Sequence, residues 1–327
     1  MLLILVAVVG GIALLSKAAD EFVEGAARLA VGLKISPIVV GAVIVGFGTS
    51  APEMVVSGIA AVRGDDDLGV GNIIGSNLAN MSLILGTAAI LIPLTIRSRV
   101  LRREAPVATA AVLIFALMVR DGLSRTDGLI LLVLMIAGLG FLFIGDDGDE
   151  ALIHEVEEMT SDGDHSLRFE IARTVGGLVG TVAGAWVLVW GATELASRYG
   201  YDDGFVGLTL VAIATSLPEL VTSVAAARQN HPDLIVGNLL GSNLFNSLGV
   251  GAVVGLLGDG HLTDSSLVGM ALWFMVIVCV LAAVAMYTRG VFEKFEGTLL
   301  LGIFVGFLLA TWWSQSDNVV SDALNLF

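Results

Sequence analysis

Two glutamates, Glu53 and Glu219, lie inside strongly apolar stretches, each directly after a proline and beside hydroxyl side chains. The segments read Gly48-Thr-Ser-Ala-Pro-Glu53 and Ala214-Thr-Ser-Leu-Pro-Glu219. On a helix, Thr49 and Ser50 fall four and three residues before Glu53, so hydroxyls and carboxylate share a face, and Thr215, Ser216 and Glu219 repeat the arrangement. Asn72, Ser76 and Asn80 follow at spacing four, as do Asn238, Ser242 and Asn246, which lays a polar stripe along each of two further apolar helices. Two carboxylates with hydroxyl, amide and carbonyl oxygens, and no His or Cys beside them, suit a hard cation. Two negative charges balance one Ca²⁺ or two Na⁺; Mg²⁺ and softer transition metals fit less well.

These residues recur because the segments that carry them are copies. Gly41–Asn80 aligns without a gap on Gly207–Asn246 at a constant offset of 166, with 20 of 40 positions identical. Gly71-Asn-Ile-Ile-Gly-Ser-Asn-Leu-Ala-Asn80 matches Gly237-Asn-Leu-Leu-Gly-Ser-Asn-Leu-Phe-Asn246. Within each copy, Pro52 and Pro218 interrupt a helical pattern and release the carbonyls of Gly48 and Ala214. Gly71 with Gly75, and Gly237 with Gly241, are small pairs that let helices approach closely.

The surround is a bilayer. With 56% hydrophobic and 14% charged residues, and a mean hydropathy of +0.91, the chain belongs with polytopic membrane proteins. A mid-span carboxylate costs about 3 kcal/mol on insertion, so Glu53 and Glu219 are functional residues by default, whereas Ser, Thr and Asn in such helices often only bond their neighbours. Apolar stretches near the spanning length of about 20 residues fall at 2–19, 37–62, 68–94, 105–119, 127–145, 172–196, 204–227, 233–257, 266–287 and 296–314. An amphipathic helix at 18–36, with Asp20, Glu21, Glu24, Arg28 and Lys34, continues the first. The expected fold is all-α, with ten transmembrane helices in two five-helix repeats, residues 1–145 and 168–327.

Orientation follows from the basic residues. An outside N-terminus puts 12 of the 16 Lys and Arg in cytoplasmic connections and four (Arg63, Arg120, Arg125 and Arg198) outside. Both termini are then expected outside a cell membrane. An odd number of spans per repeat turns the second copy upside down, an architecture of secondary transporters with a midplane site. Residues 146–167, rich in Asp and Glu, are expected as a solvated cytoplasmic linker, helical in part around 150–159; they lack the order of a Ca²⁺-binding EF-hand. The single Cys279 excludes an internal disulfide and is simplest as a small buried apolar residue. His154, His165, His231 and His261 fall in predicted loops, which leaves no imidazole proton relay in the membrane.

The paired GTSAPE…GNIIGSNLAN and ATSLPE…GNLLGSNLFN motifs resemble the two α-repeats of the calcium/cation antiporter superfamily, in its sodium/calcium exchanger branch, and the likeness in layout covers the whole chain. The resemblance implies a non-enzymatic exchange of Na⁺ for Ca²⁺ by alternating access, with the two ions and the lipid bilayer as partners. It implies no cofactor, nucleic acid or obligate protein partner. Carried over by position, Glu53 and Glu219 are central ligands for both ions. Thr49, Ser50, Thr215 and Ser216 supply hydroxyl and backbone oxygens, and Ser76, Asn80, Ser242 and Asn246 complete the Na⁺ sites. Gly46 and Ala212 lend carbonyls.

Asn246 stands where several prokaryotic relatives and the potassium-dependent branch have Asp, which weakens potassium coupling and removes a third carboxylate able to carry a proton. The alternative reading is a proton/calcium antiporter, whose first motif typically differs from Gly-Thr-Ser-x-Pro-Glu. Two other classes fit less well. An intramembrane protease would need a second acidic motif to pair with Gly145-Asp-Asp-Gly-Asp149. A passive cation channel does not call for an inverted repeat with broken helices.

Overall fold

A computed structural model describes residues 1–32, 50–96, 103–143, 166–228 and 232–325. The described chain is helical apart from short connections and one two-stranded ribbon, β1 (Leu94–Thr95) and β2 (Val291–Phe292), paired antiparallel with Leu94 opposite Phe292. Among the described residues, eight helices are long and apolar enough to cross a membrane: α1 (Leu2–Gly32), α3 (Asp66–Leu91), α5 (Arg125–Phe143), α6 (Leu167–Tyr199), α7 (Asp203–Arg228), α8 (232–257), α9 (Leu267–Arg289) and α10 (Lys294–Asn325). Two shorter helices, α2 (Ala51–Val62) and α4 (Ala105–Met118), accompany them. The expected acidic linker and the helix at 150–159 lie outside the described residues, except that Ser166 caps α6, accepting from the Phe169 N–H.

Element bounds repeat at the sequence offset. Adding 166 to α2 gives 217–228, the second half of α7 (Leu217–Arg228), and adding it to the last turns of α3 (Leu85–Leu91) gives those of α8 (Gly251–Leu257). Adding it to α1 gives 168–198, nearly the whole of α6.

One expectation is refined. The first span and the amphipathic 18–36 segment, as far as residue 32, form a single helix, because nothing between them breaks it and its charges find partners. Arg173 of α6 reaches across with Nε 2.6 Å from Glu21 Oε2 and with Nη1 and Nη2 each 2.6 Å from the Glu24 oxygens. Lys17 pairs with Glu21 at 3.0 Å and Arg28 with Glu24 at 2.9 Å, both one turn apart.

Glycine dictates how α1 and α6 pack. Gly177, Gly184 and Gly191 recur every seven residues, the spacing that keeps one seam facing a partner. They meet Phe22, Leu15 and Val8 in turn. A Cβ at Gly184 would lie 2.6 Å from the Leu15 backbone nitrogen, so the two backbones are in direct contact. As numbers rise along α6 they fall along α1, so these two copies of one sequence element run antiparallel.

Burial grades outward from α3 and α8, each 83% buried over its most apolar window, to α5 at 17%. The two asparagine-bearing helices are thus the centre of the molecule. Around them α1, α5, α6, α9 and α10 present Leu2, Val133, Val179, Leu281 and Leu309 outward, an apolar exterior suited to lipid. At one end, the Asp66 carboxylate accepts from Gly260 N–H at 2.8 Å and Asp67 from Thr263 N–H at 3.0 Å, pinning the α8–α9 connection. In that connection, burial pushes the Asp264 carboxyl above its ordinary value, against the opposing effect of the Ser266 N–H and hydroxyl.

Candidate cation site

Each glutamate follows a residue with non-helical backbone, and in the second repeat that residue interrupts α7. Ser50 (φ −92°, ψ 6°) and Ser216 (φ −85°, ψ 6°) take the same non-helical conformation, and Pro52 and Pro218 follow two residues later. A proline near the start of a helix lacks only an N–H that would have no partner there, so the second half restarts without further loss. Glu53 and Glu219 occupy its first turn, where the positive end of the helix dipole favours a carboxylate.

The asparagine stripes carry a second irregularity. After Ala79, α3 widens into a π-helical turn over Asn80–Ile84, and α8 does so over Phe245–Val250. Such bulges concentrate at functional sites because they swing side chains out of α-helical register. Each bulge packs against the other repeat's glutamate segment: Asn80–Ile84 touches Leu217–Arg228, and Phe245–Val250 touches Ala51–Val62.

The two repeats interlock around this crossing. The Ser216 hydroxyl donates to Glu53 Oε1 at 3.2 Å, and the Thr215 hydroxyl donates to Asn72 Oδ1 at 3.2 Å. Glu53 and Glu219 are buried, at 1% and 0% exposure, as are Ser50, Ser76, Asn80, Thr215, Ser216, Ser242 and Asn246. Several of their polar atoms have no hydrogen-bond partner in the protein: Glu53 Oε2, both Glu219 oxygens, Ser50 Oγ, Ser76 Oγ, Asn80 Oδ1 and both amide atoms of Asn246. An orphaned buried polar atom costs about 1–3 kcal/mol, more when charged, so this concentration marks a place built for a ligand. Its donor set is hard oxygen, and among the described residues no three His, Cys, Asp or Glu side chains gather as a group able to hold a metal.

Of the residues expected in the site, Gly46 and Thr49 lie outside the described residues. Ala212 is buried in the first half of α7, but its carbonyl is already engaged, accepting from the Ser216 N–H at 3.0 Å and from the Thr215 hydroxyl at 3.3 Å. Cys279 is buried, as expected, and its sulfur accepts from Asn243 Nδ2 at 3.7 Å.

Sequence reasoning set aside a layer that the structure brings forward. Asn72 donates to Ser57 Oγ at 2.9 Å and to the Glu53 carbonyl at 3.5 Å while it accepts from Thr215, which ties α2 and α7 to α3. Asn77 and Asn243 bridge α3 and α8. Identity at offset 166 was the signal that marked them, since Ser57 recurs as Ser223, Asn72 as Asn238 and Asn77 as Asn243.

A membrane-embedded helical bundle with buried carboxylates and oxygen groups where the two repeated segments meet defines a class: a cation-handling protein of the bilayer. The particular family follows from comparison, for residues 3–144 and 170–313 match the family of the sodium/calcium exchanger protein, and the chain belongs to it. It is 34% identical over 315 residues to the putative antiporter CaxA of Alkalimonas amylolytica, covering 94% of this chain and 98% of the relative. It is 30% identical over 343 residues to the sodium/calcium exchanger MaX1 of Methanosarcina acetivorans, covering 93% and 97%. A solved structure of the sodium-calcium exchanger NCX_Mj, soaked with 2.5 mM Na⁺ and 0.1 mM Ca²⁺, superposes with a TM-score of 0.64 at 30% identity, covering 93% of this chain and 97% of that one.

Proposed function

We propose that this protein is a secondary antiporter that exchanges Na⁺ for Ca²⁺ across a cell membrane by alternating access. The carrying observation is the set of orphaned buried oxygens, drawn from both repeats, around Glu53 and Glu219. Ca²⁺ wants six to eight oxygens in flexible geometry and Na⁺ is content with neutral ones, so one cage serves either ion in turn. Kinship to proteins named as sodium/calcium exchangers supports the pairing of ions.

On this reading the ligands are Glu53, Glu219, Thr49, Ser50, Thr215, Ser216, Ser76, Asn80, Ser242, Asn246, and the carbonyls of Gly46 and Ala212, the last becoming available when its present donors move. The architecture is ten spans in two inverted five-helix repeats, residues 1–145 and 168–327, joined by a cytoplasmic acidic linker, with both termini outside. The antiparallel seam between α1 and α6, two copies of one element, supports the inversion. The deciding experiment is radiolabelled Ca²⁺ uptake into proteoliposomes under Na⁺, K⁺ or H⁺ gradients imposed one at a time. Uptake driven by the outward Na⁺ gradient is expected; uptake driven only by the H⁺ gradient would move the protein to the proton/calcium alternative.

A further inference from the structure

An asparagine ligand has two ends of similar size and opposite use. Its carboxamide oxygen attracts a cation and its NH₂ group repels one. An asparagine in a cation cage therefore needs a neighbour that takes up the NH₂ and leaves the oxygen free. Asn80 has such a neighbour across the repeat boundary, for its Nδ2 donates to Asn243 Oδ1 at 3.0 Å while its own Oδ1 is buried without a partner. Asn243 is in turn held with its oxygen toward Asn80, because its Nδ2 points the other way, to the Asn77 carbonyl at 3.5 Å and Cys279 Sγ at 3.7 Å. The Asn77 carbonyl can only accept, so the Asn243 amide is satisfied with its NH₂ on that side and its oxygen toward Asn80.

The counterpart one repeat away is differently engaged. Asn77, the copy of Asn243, donates through Nδ2 to Ser247 Oγ at 3.0 Å and Met275 Sδ at 3.6 Å, so its Oδ1 faces away from these acceptors. That oxygen has no partner, and neither does the Asn246 amide to which the repeat would pair it. One of two equivalent aiming bonds is thus made in this conformation.

We propose that Asn243 is a positioning residue of the cation site: by accepting from Asn80 Nδ2 it turns the Asn80 oxygen toward the ion and so sets Na⁺ affinity, without itself touching the cation. The proposal rests on the cation-exchange reading of the cage, but its test does not require transport. Na⁺ should feel the change more than Ca²⁺, because Ca²⁺ is dominated by the two carboxylates, whereas neutral oxygens are a larger share of what holds Na⁺.

The experiment is a double-mutant cycle read by cation-dependent thermal stabilisation of the purified full-length protein in detergent, which reports binding to the folded state. The half-saturating Na⁺ and Ca²⁺ concentrations are measured for wild type, Asn80→Ala, Asn243→Leu and the double variant. Each single substitution is expected to raise half-saturating Na⁺ about tenfold, the double by no more than either alone, and half-saturating Ca²⁺ by less than about threefold. Additive Na⁺ effects, about a hundredfold in the double, or equal shifts for both ions, would overturn the proposal and leave Asn243 a packing residue. If Asn243→Leu does not fold, Asn243→Ala removes the same acceptor and completes the cycle with the same criteria. Failure of Na⁺-driven Ca²⁺ uptake in wild-type proteoliposomes would instead overturn the exchange reading, and the two failures are read from separate measurements.

Discussion

At the scale of single residues, the cage works through a division between charge and orientation. Glu53 and Glu219 supply its only carboxylates among the described residues, and in a low-dielectric site neither can replace the other. Glu53→Gln and Glu219→Gln should each abolish Ca²⁺ transport while leaving a folded protein, since glutamine keeps the shape and removes a buried charge; near-normal Ca²⁺ flux in either variant would reject the assignment. Asn72 is a different case. It holds Ser57 and Thr215 at once, and its loss removes two buried side-chain hydrogen bonds worth about 0.5–1.5 kcal/mol each, although Ser57 keeps the Gly69 carbonyl and Thr215 the Ala212 carbonyl. Asn72→Leu should therefore lower the melting temperature and weaken Ca²⁺ binding together, whereas Glu53→Gln should remove binding without that loss of stability. Denaturation of the two variants side by side, with and without Ca²⁺, separates the roles.

At the scale of elements, the α1–α6 pair stands out because backbone touches backbone along its length, with Arg173 clamping one end onto Glu21 and Glu24. Replacing Gly184 with Leu would force a side chain into the Leu15 backbone and should destabilise the protein by about 1–3 kcal/mol, as overpacking does. A melting temperature equal to wild type would show that the helices part easily. The α1–α6 unit contains no copy of the ligand motif, and alternating access shifts one bundle past a fixed midplane site, so this pair is the natural moving element. Spin labels on Val9 of α1 and Leu129 of α5, both exposed, should change separation between Na⁺-loaded and Ca²⁺-loaded protein, while labels on Val9 and Val187 of α6 should not. An unchanged first distance would reject α1 as the mobile part.

At the scale of the whole molecule, topology and charge balance give two measurable consequences. Cysteines introduced at Asp149, in the acidic segment, and at Asp259, in the α8–α9 connection, on a Cys279→Ala background, should label from opposite faces of intact cells; labelling from one face would mean a wrong span count. On the proposed ligand assignment, two carboxylates balance one Ca²⁺, while neutral oxygens of Ser76, Asn80, Ser242 and Asn246 would admit Na⁺ beyond the two that neutrality needs. The Na⁺-loaded carrier is then more positive than the Ca²⁺-loaded one. An interior-positive potential should accelerate Ca²⁺ uptake into Na⁺-loaded vesicles, because each cycle exports net charge worth about 2.3 kcal/mol per 100 mV. Uptake indifferent to the potential would indicate electroneutral exchange of two Na⁺ for one Ca²⁺.

The sequence by itself carried the cage chemistry because that chemistry is local and duplicated. Thr, Ser and Glu at fixed spacing beside a proline, and Asn and Ser every fourth residue, are legible without coordinates, and a carboxylate in an apolar run is too costly to be incidental. Long apolar stretches likewise set most helices, and the amphipathic segment read as continuing the first span is part of α1 as far as residue 32. What only the tertiary structure decided is which atoms meet across the repeats. Ser216 bonds Glu53 rather than the glutamate of its own segment, Asn72 reaches Thr215, and Asn243 takes the amide of Asn80. The widened turns at Asn80 and Asn246 have no periodicity to announce them, and the non-helical residues are Ser50 and Ser216, two positions before the prolines. Spacing along a chain orders side chains on one helix; the facing of one repeat onto the other depends on packing between segments far apart in the chain, by 143 residues for Asn72 and Thr215 and 163 for Asn80 and Asn243.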